Sequence, residues 1–197
     1  LAKSYNDYRT IRSIRTGIHG IDLAIGDGIP RGRFIEVVGD PSAFKTAFGY
    51  NVIAAFQSVG GIAVMFDEEA KADKKFAEMN GVKWEDLIYI VAPSIEELVS
   101  KMEELIDKIR AFDSESPIIF LWDSIGGTPS ISELEDDNIK TSEMAVRARL
   151  IAAGFRRVIH KMHTHDITLV GINHLKTKIG VVYGPKMDSP GGRAVKY

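Results

Sequence analysis

The stretch IEVVGDPSAFKTAFGYNVIAAF, residues 35–56, runs from β-branched residues through Gly39 and four further residues to Phe44. Lys45-Thr46 then head an apolar helical pattern. That is strand, loop and helix in the order of G-x-x-x-x-G-K-[ST]. In that motif backbone N–H groups and the helix N-terminus surround phosphates, the lysine pairs with the outer phosphates and the hydroxyl ligates Mg²⁺. Lys45 and Thr46 meet both demanding roles, but Phe44 stands where the motif has its second glycine. The residue before the lysine needs an inward N–H, and a backbone close to helical leaves its side chain pointing away from the phosphates. The same residues also suit a strand-turn-helix corner in which Lys-Thr is incidental.

Outward from this stretch, strand and helix patterns alternate. Strands are expected at about 34–38, 62–66, 87–91, 117–122 and 167–172, and helices at about 45–59, 71–80, 95–111 and 141–163. The runs FIEVV, IAVMF, IIFLW and ITLVGI are apolar nearly throughout, as in a parallel sheet covered by helices on both faces. Ligands of such α/β folds sit at the carboxyl ends of the strands. The unusual residues fall there: 39–46, Asp67 to Glu69, Asp123-Ser124 and Asn173-His174. Asp123 ends an apolar strand, where a carboxylate can hold Mg²⁺, usually through water, beside a phosphate loop. One acid of Asp67-Glu68-Glu69 could orient or deprotonate an attacking water; an acidic cluster favoured by a helix dipole reads equally from the same residues.

Bulk properties limit the alternatives. A chain of 197 residues with 45% hydrophobic content fits one domain with a full core. No run approaches the roughly 18–20 apolar residues of a membrane span, and LAKSYNDYRT lacks the apolar core of a secretory signal. A cytoplasmic protein without a membrane partner is expected. The absence of cysteine excludes disulfides and thiolate metal sites. The net charge of −2 conceals an asymmetry: residues 141–197 carry ten Lys/Arg against three acids. One end thus suits an anion, although a solvated basic face has the same composition.

Four segments together carry a family resemblance: IRTGIHGIDLAIGDGIPRGRFIEVVGD, MFDEEAKADKKFAEMNGV, FLWDSIGGTPSISELE and INHLKTKIGVVYGPKMDSPGGRAVKY. They resemble the ATPase core of RecA-type DNA strand-exchange proteins over nearly the whole chain. KIGVVYG followed by GGRAVKY is similar to the second DNA-binding loop of that family and is its most specific part. Phe before the loop lysine, and Asn-His in place of Asn-Gln, are similar to phage recombinases of the UvsX type. The resemblance implies a RecA-like P-loop fold using ATP and Mg²⁺. It assigns Gly39, Asp40, Pro41, Ser42, Ala43, Phe44, Lys45, Thr46 and Ala47 to the phosphates, Thr46 and Asp123 to Mg²⁺, and Glu69 to the general base. Asp73 and Phe76 match positions flanking adenine, though Phe76 also suits the apolar face of its helix. His174 matches the sensor of the terminal phosphate; a strand-end histidine bonded to a carbonyl is the alternative.

For DNA the resemblance implies a first loop at GGTPSISELEDDNIK, with Met144 as an apolar wedge. Arg147, Arg149, Arg156, Arg157 and Lys161 follow on the next helix, and Lys176, Lys178, Lys186, Gly191, Gly192 and Arg193 lie in or beside the second loop at about 175–192. These cations would contact phosphates without reading bases, as a protein accepting any sequence requires; a solvated helix face or contacts between subunits are the alternatives for the arginines. Against the family, the chain looks like a core truncated at both ends. The expected activity is that of a DNA-dependent ATPase and recombinase, binding single- and double-stranded DNA and self-associating into a helical filament or ring. A non-hydrolysing regulatory module and a hexameric helicase core are the competing classes; Glu69 speaks against the first and the second loop against the other.

Overall fold

From Ser13 the chain runs through β1 (Ser13–Ile14), α1 (His19–Ala24), β2 (Ile29–Pro30), β3 (Phe34–Gly39), α2 (Lys45–Ser58), β4 (Ile62–Asp67), α3 (Lys74–Met79) and β5 (Leu87–Ile90). It continues through α4 (Ile95–Phe112), β6 (Ile118–Asp123), α5 (Ile131–Glu135), α6 (Thr141–His165), β7 (Ile167–His174), β8 (Lys176–Thr177) and β9 (Met187–Asp188). This computed structural model describes residues 12–68, 70–135, 141–177 and 187–188, with backbone alone for 141–148, 176–177 and 187–188.

Five strands form one parallel sheet in the order β3-β7-β6-β4-β5. The central three are buried almost end to end because helices cover both faces. The outer strands β3 and β5 are only partly buried, although FIEVV reads as apolar as the rest. Their position at the edges of this sheet, which the run itself does not encode, explains the difference.

On one face α4 presents Ile95, Leu98, Met102, Ile106 and Ile109, spaced three and four apart, to β6 and α6. Each such side chain contributes about 1.5–3 kcal/mol when fully buried. Ser94 starts the helix by accepting from the Glu97 N–H at 3.2 Å. On the other face α2 buries Tyr50, Val52, Ile53 and Phe56. Gly49 lets α2 approach closely, since a Cβ there would lie 2.8 Å from Leu121. That approach sets the height of Lys45 and Thr46 above the sheet.

Two boundaries differ from expectation for identifiable reasons. Helix α3 begins at Lys74 rather than near 71, because Asp67 accepts from the N–H groups of Lys71 and Ala72, both at 2.8 Å, and Asp73 then caps the helix by accepting from Phe76 N at 3.1 Å. Strand β7 extends through Asn173 and His174, which pair with Val38 and Gly39 of β3. His174 therefore lies within the sheet, beside the first residue of the glycine-lysine loop.

Candidate functional site

The loop after β3 is exposed from Asp40 to Phe44 and closes on a buried lysine. Lys45 Nζ donates to the carbonyl oxygens of Gly39 at 3.0 Å and Asp40 at 2.6 Å, so the cation is held inside the turn it follows. Ser42 and Phe44 both have left-handed backbone, with φ of 61° and 57°. Left-handed residues in so short a loop turn successive N–H groups toward one side, a geometry suited to an anion. Phe44 is thus left-handed rather than near the ordinary helical region, which is the reason for a glycine at this position in the motif. Its ring is 79% exposed. Phe44→Gly should relieve a conformation costing about 1–2 kcal/mol in an L-residue while sacrificing little burial. The expected result is a higher denaturant midpoint, with ATP affinity within about tenfold of the parent, or 1.4 kcal/mol. Complete loss of ATP binding would instead assign the ring a nucleotide contact.

The carboxyl ends of the central strands place the remaining groups in a row. Gly39 pairs with His174, Ile172 with Asp123 and Asp123 with Asp67 across β3, β7, β6 and β4. Thr46 Oγ1 donates to Asp123 Oδ2 at 2.7 Å, joining the helix start to the end of β6. Burial pushes the Asp123 carboxyl above its ordinary value, while the Thr46 hydrogen bond pulls the other way. A desolvated carboxylate beside a hydroxyl is an all-oxygen donor pair that fits Mg²⁺. Among the described residues no three His, Cys, Asp or Glu converge on one metal position. Mg²⁺ commonly keeps waters and phosphate oxygens as further ligands, so these two residues suffice for it. His174 Nδ1 is buried without a hydrogen-bond partner among the described residues, and the ring lines the same hollows as Thr46 and Asp123.

Those hollows adjoin. One, of about 280 Å³, lies among Thr46, Asp67, Glu68, Asp123 and His174; the other, of about 390 Å³, runs along the loop from Ser42 to Ala47 to Phe76. Phe76 packs edge-on against Tyr50 with ring centroids 5.9 Å apart and is 39% exposed. It therefore belongs to the apolar side of its helix and to the loop's hollow at once. Asp73 is occupied as the cap of α3.

The acids after β4 have distinct surroundings. Asp67 Oδ2 accepts from Lys71 N, Ala72 N and Tyr89 Oη, each at 2.8 Å. Burial and this bond push Tyr89 up to about 12, so it remains a neutral donor. Glu68 Oε2 accepts from Ser124 N at 2.5 Å and Thr128 Oγ1 at 3.1 Å. Burial raises its carboxyl above the ordinary value despite these donors. Glu69 lies outside the described residues.

The cations assigned to DNA separate into groups. Arg149 and Arg156 are exposed on α6. Arg157 instead donates to Glu103 at 2.5 Å and Lys161 to Asp107 at 2.6 Å, which fastens α6 to α4. Met144 lies on α6 and Lys176 on β8, described in backbone only. Lys178, Lys186, Gly191, Gly192 and Arg193 lie outside the described residues. The segment expected as the first loop begins as folded structure: Thr128 and Ser130 are fully buried, and Ser130 caps α5 reciprocally with Glu133. The signature S-x-x-E at 130–133 marks this cap in the sequence itself.

Comparison with known proteins follows the same lines. The family model of the RecA N-terminal domain matches residues 2–197. The chain is 33% identical over 187 residues to Protein RecA of Arthrospira platensis, covering 95% of this chain and 49% of that protein. It is 33% identical over 188 residues to Protein RecA of Rubrobacter xylanophilus, covering 95% and 53%, and 34% identical over 188 residues to Protein RecA of Aquifex aeolicus, covering 95% and 52%. The chain thus spans about half the length of the curated relatives it matches.

Proposed function

This chain belongs to the RecA family, and on that premise we propose that it is the ATPase core of a homologous recombinase serving DNA recombination and repair. It binds ATP, hydrolyses it in response to single-stranded DNA, and pairs that strand with a duplex while self-associating as a filament. The observation that carries the reading is the Thr46–Asp123 hydrogen bond beside a lysine-closed loop at the carboxyl edge of a parallel sheet. Phe44 and His174 are the grounds on which we place it with the UvsX type. Among the described residues no helix is long and apolar enough to cross a membrane, and we place the activity in the cytoplasm, with no membrane partner.

In this reading residues 39–47 hold the phosphates, with Lys45 on the outer ones, and Asp73 and Phe76 flank the base. Thr46 and Asp123 hold Mg²⁺, which neutralises charge on the phosphates. Glu69 accepts a proton from water as the water oxygen bonds to the terminal phosphorus and the bond to the ADP oxygen breaks. Arg149, Arg156, the basic residues of 175–192 and Arg193 bind DNA phosphates, Gly191 and Gly192 let backbone N–H groups approach them, and Met144 wedges into the strand.

His174 is proposed to report the terminal phosphate to the DNA loop. It neighbours Gly39 in register, and Leu175 N donates to Gly39 O at 3.4 Å immediately before β8. The test is single-stranded DNA affinity measured with ATP and with ADP. The parent should bind more tightly with ATP, and His174→Ala should bind equally with either while retaining ATP affinity. An undiminished ATP-to-ADP ratio in the variant would remove His174 from this role.

A further inference from the structure

We infer that Glu68 is a positioning residue that holds Ser124, and through it the Mg²⁺ carboxylate Asp123, and ties the nucleotide site to the segment 124–135. The inference rests on the nucleotide reading above. Glu68 follows the last residue of β4, and Ser124 follows the last residue of β6; Asp67 and Asp123, the residues before them, are paired in register. The carboxylate spans the two strand ends. Oε2 accepts from Ser124 N at 2.5 Å and Thr128 Oγ1 at 3.1 Å, and Oε1 from Ser124 Oγ at 3.3 Å.

The far side of this clamp is anchored in the core. Thr128 is fully buried and its Oγ1 accepts from Trp122 Nε1 at 2.7 Å, while its single proton is shared between Glu68 and the Ser124 carbonyl. Ile95 N donates to Pro129 O at 2.9 Å, joining the same turn to the start of α4. A shift of Glu68 therefore moves the residue after Asp123 on one side and the approach to α5 on the other.

Gly127 makes the clamp possible. A Cβ at that position would lie 1.6 Å from Glu68 Oε1, so any side chain at 127 displaces the carboxylate. Glu68 and Gly127 thus form one device, which supplies a test independent of removing the acid. Partners that orient a metal ligand typically change metal affinity by about 10–100-fold when lost.

The experiment is a Mg²⁺ titration of nucleotide binding by the whole chain, with EDTA as the metal-free reference. Glu68→Ala and Gly127→Ala should each raise the half-saturating Mg²⁺ concentration by about tenfold or more, with metal-free affinity close to the parent. The double variant should be no worse than either single one, because both remove the same contact. Glu68→Gln keeps a carbonyl oxygen for Ser124 N and should recover most of the Mg²⁺ affinity, which also guards against a misfolded alanine variant. Parent-like Mg²⁺ dependence in Glu68→Ala and Gly127→Ala overturns the inference, as does additive loss in the double variant. A parent chain that binds no nucleotide overturns the nucleotide reading itself, and the inference with it.

Discussion

Lys45→Ala should lower ATP affinity by about 10²-fold or more, since a hydrogen bond to a charged group contributes about 1.5–3 kcal/mol and the outer phosphates would lose more than one. Lys45 is 7% exposed and lies within the loop's own carbonyl oxygens. Its ammonium needs only to exchange those acceptors for phosphate oxygens. The loop N–H groups alone carry partial charges and cannot replace it. Fluorescent-nucleotide titration is the direct measurement, with circular dichroism to show that the variant folds. ATP affinity equal to the parent's would reject the phosphate-loop assignment.

Glu69→Gln should retain ATP and DNA binding and lower hydrolysis by about 10²–10⁴-fold, the usual contribution of a positioned base. The surroundings of its two neighbours support this choice. Asp67 already accepts from two backbone N–H groups and Tyr89, and Glu68 from Ser124 and Thr128. Both carboxylates serve as acceptors that shape the loop, and taking a proton from water would dismantle those bonds. Glu69 therefore remains the proposed base. Single-turnover hydrolysis at saturating ATP isolates the step, and a rate near the parent's would move the base to Glu68 or Asp67.

The five strands of the parallel sheet were legible because each is a short apolar run bounded by turn residues, and the loop was legible because a lysine and a hydroxyl must follow a glycine at fixed spacing. Other features depend on partners distant in the chain. The left-handed backbone of Phe44 runs against the residue's own preference and is imposed by the loop. The use of Glu68 depends on Ser124 and on the missing side chain of Gly127. Arg157 and Lys161 read as cations available to DNA, yet they sit four apart opposite Glu103 and Asp107, also four apart. That match follows from two crossover helices lying parallel on one face of a parallel sheet, and neither segment shows it alone. The two-residue strands β1 and β2 are too short to carry a periodicity, and α1 lacks the side-chain cap that marks the equally short α3, since Ile18 stands at its start.

We propose that one site hydrolyses ATP and answers to DNA. The most direct test is the rate of ATP hydrolysis by this chain with and without single-stranded DNA of mixed sequence, with Lys45→Ala as the control. The expected rate rises on adding the strand, loses that rise as salt displaces the cations from DNA phosphates, and vanishes in the control. Hydrolysis that is unchanged by DNA, or absent while ATP still binds, would contradict it and leave a nucleotide-binding module in its place.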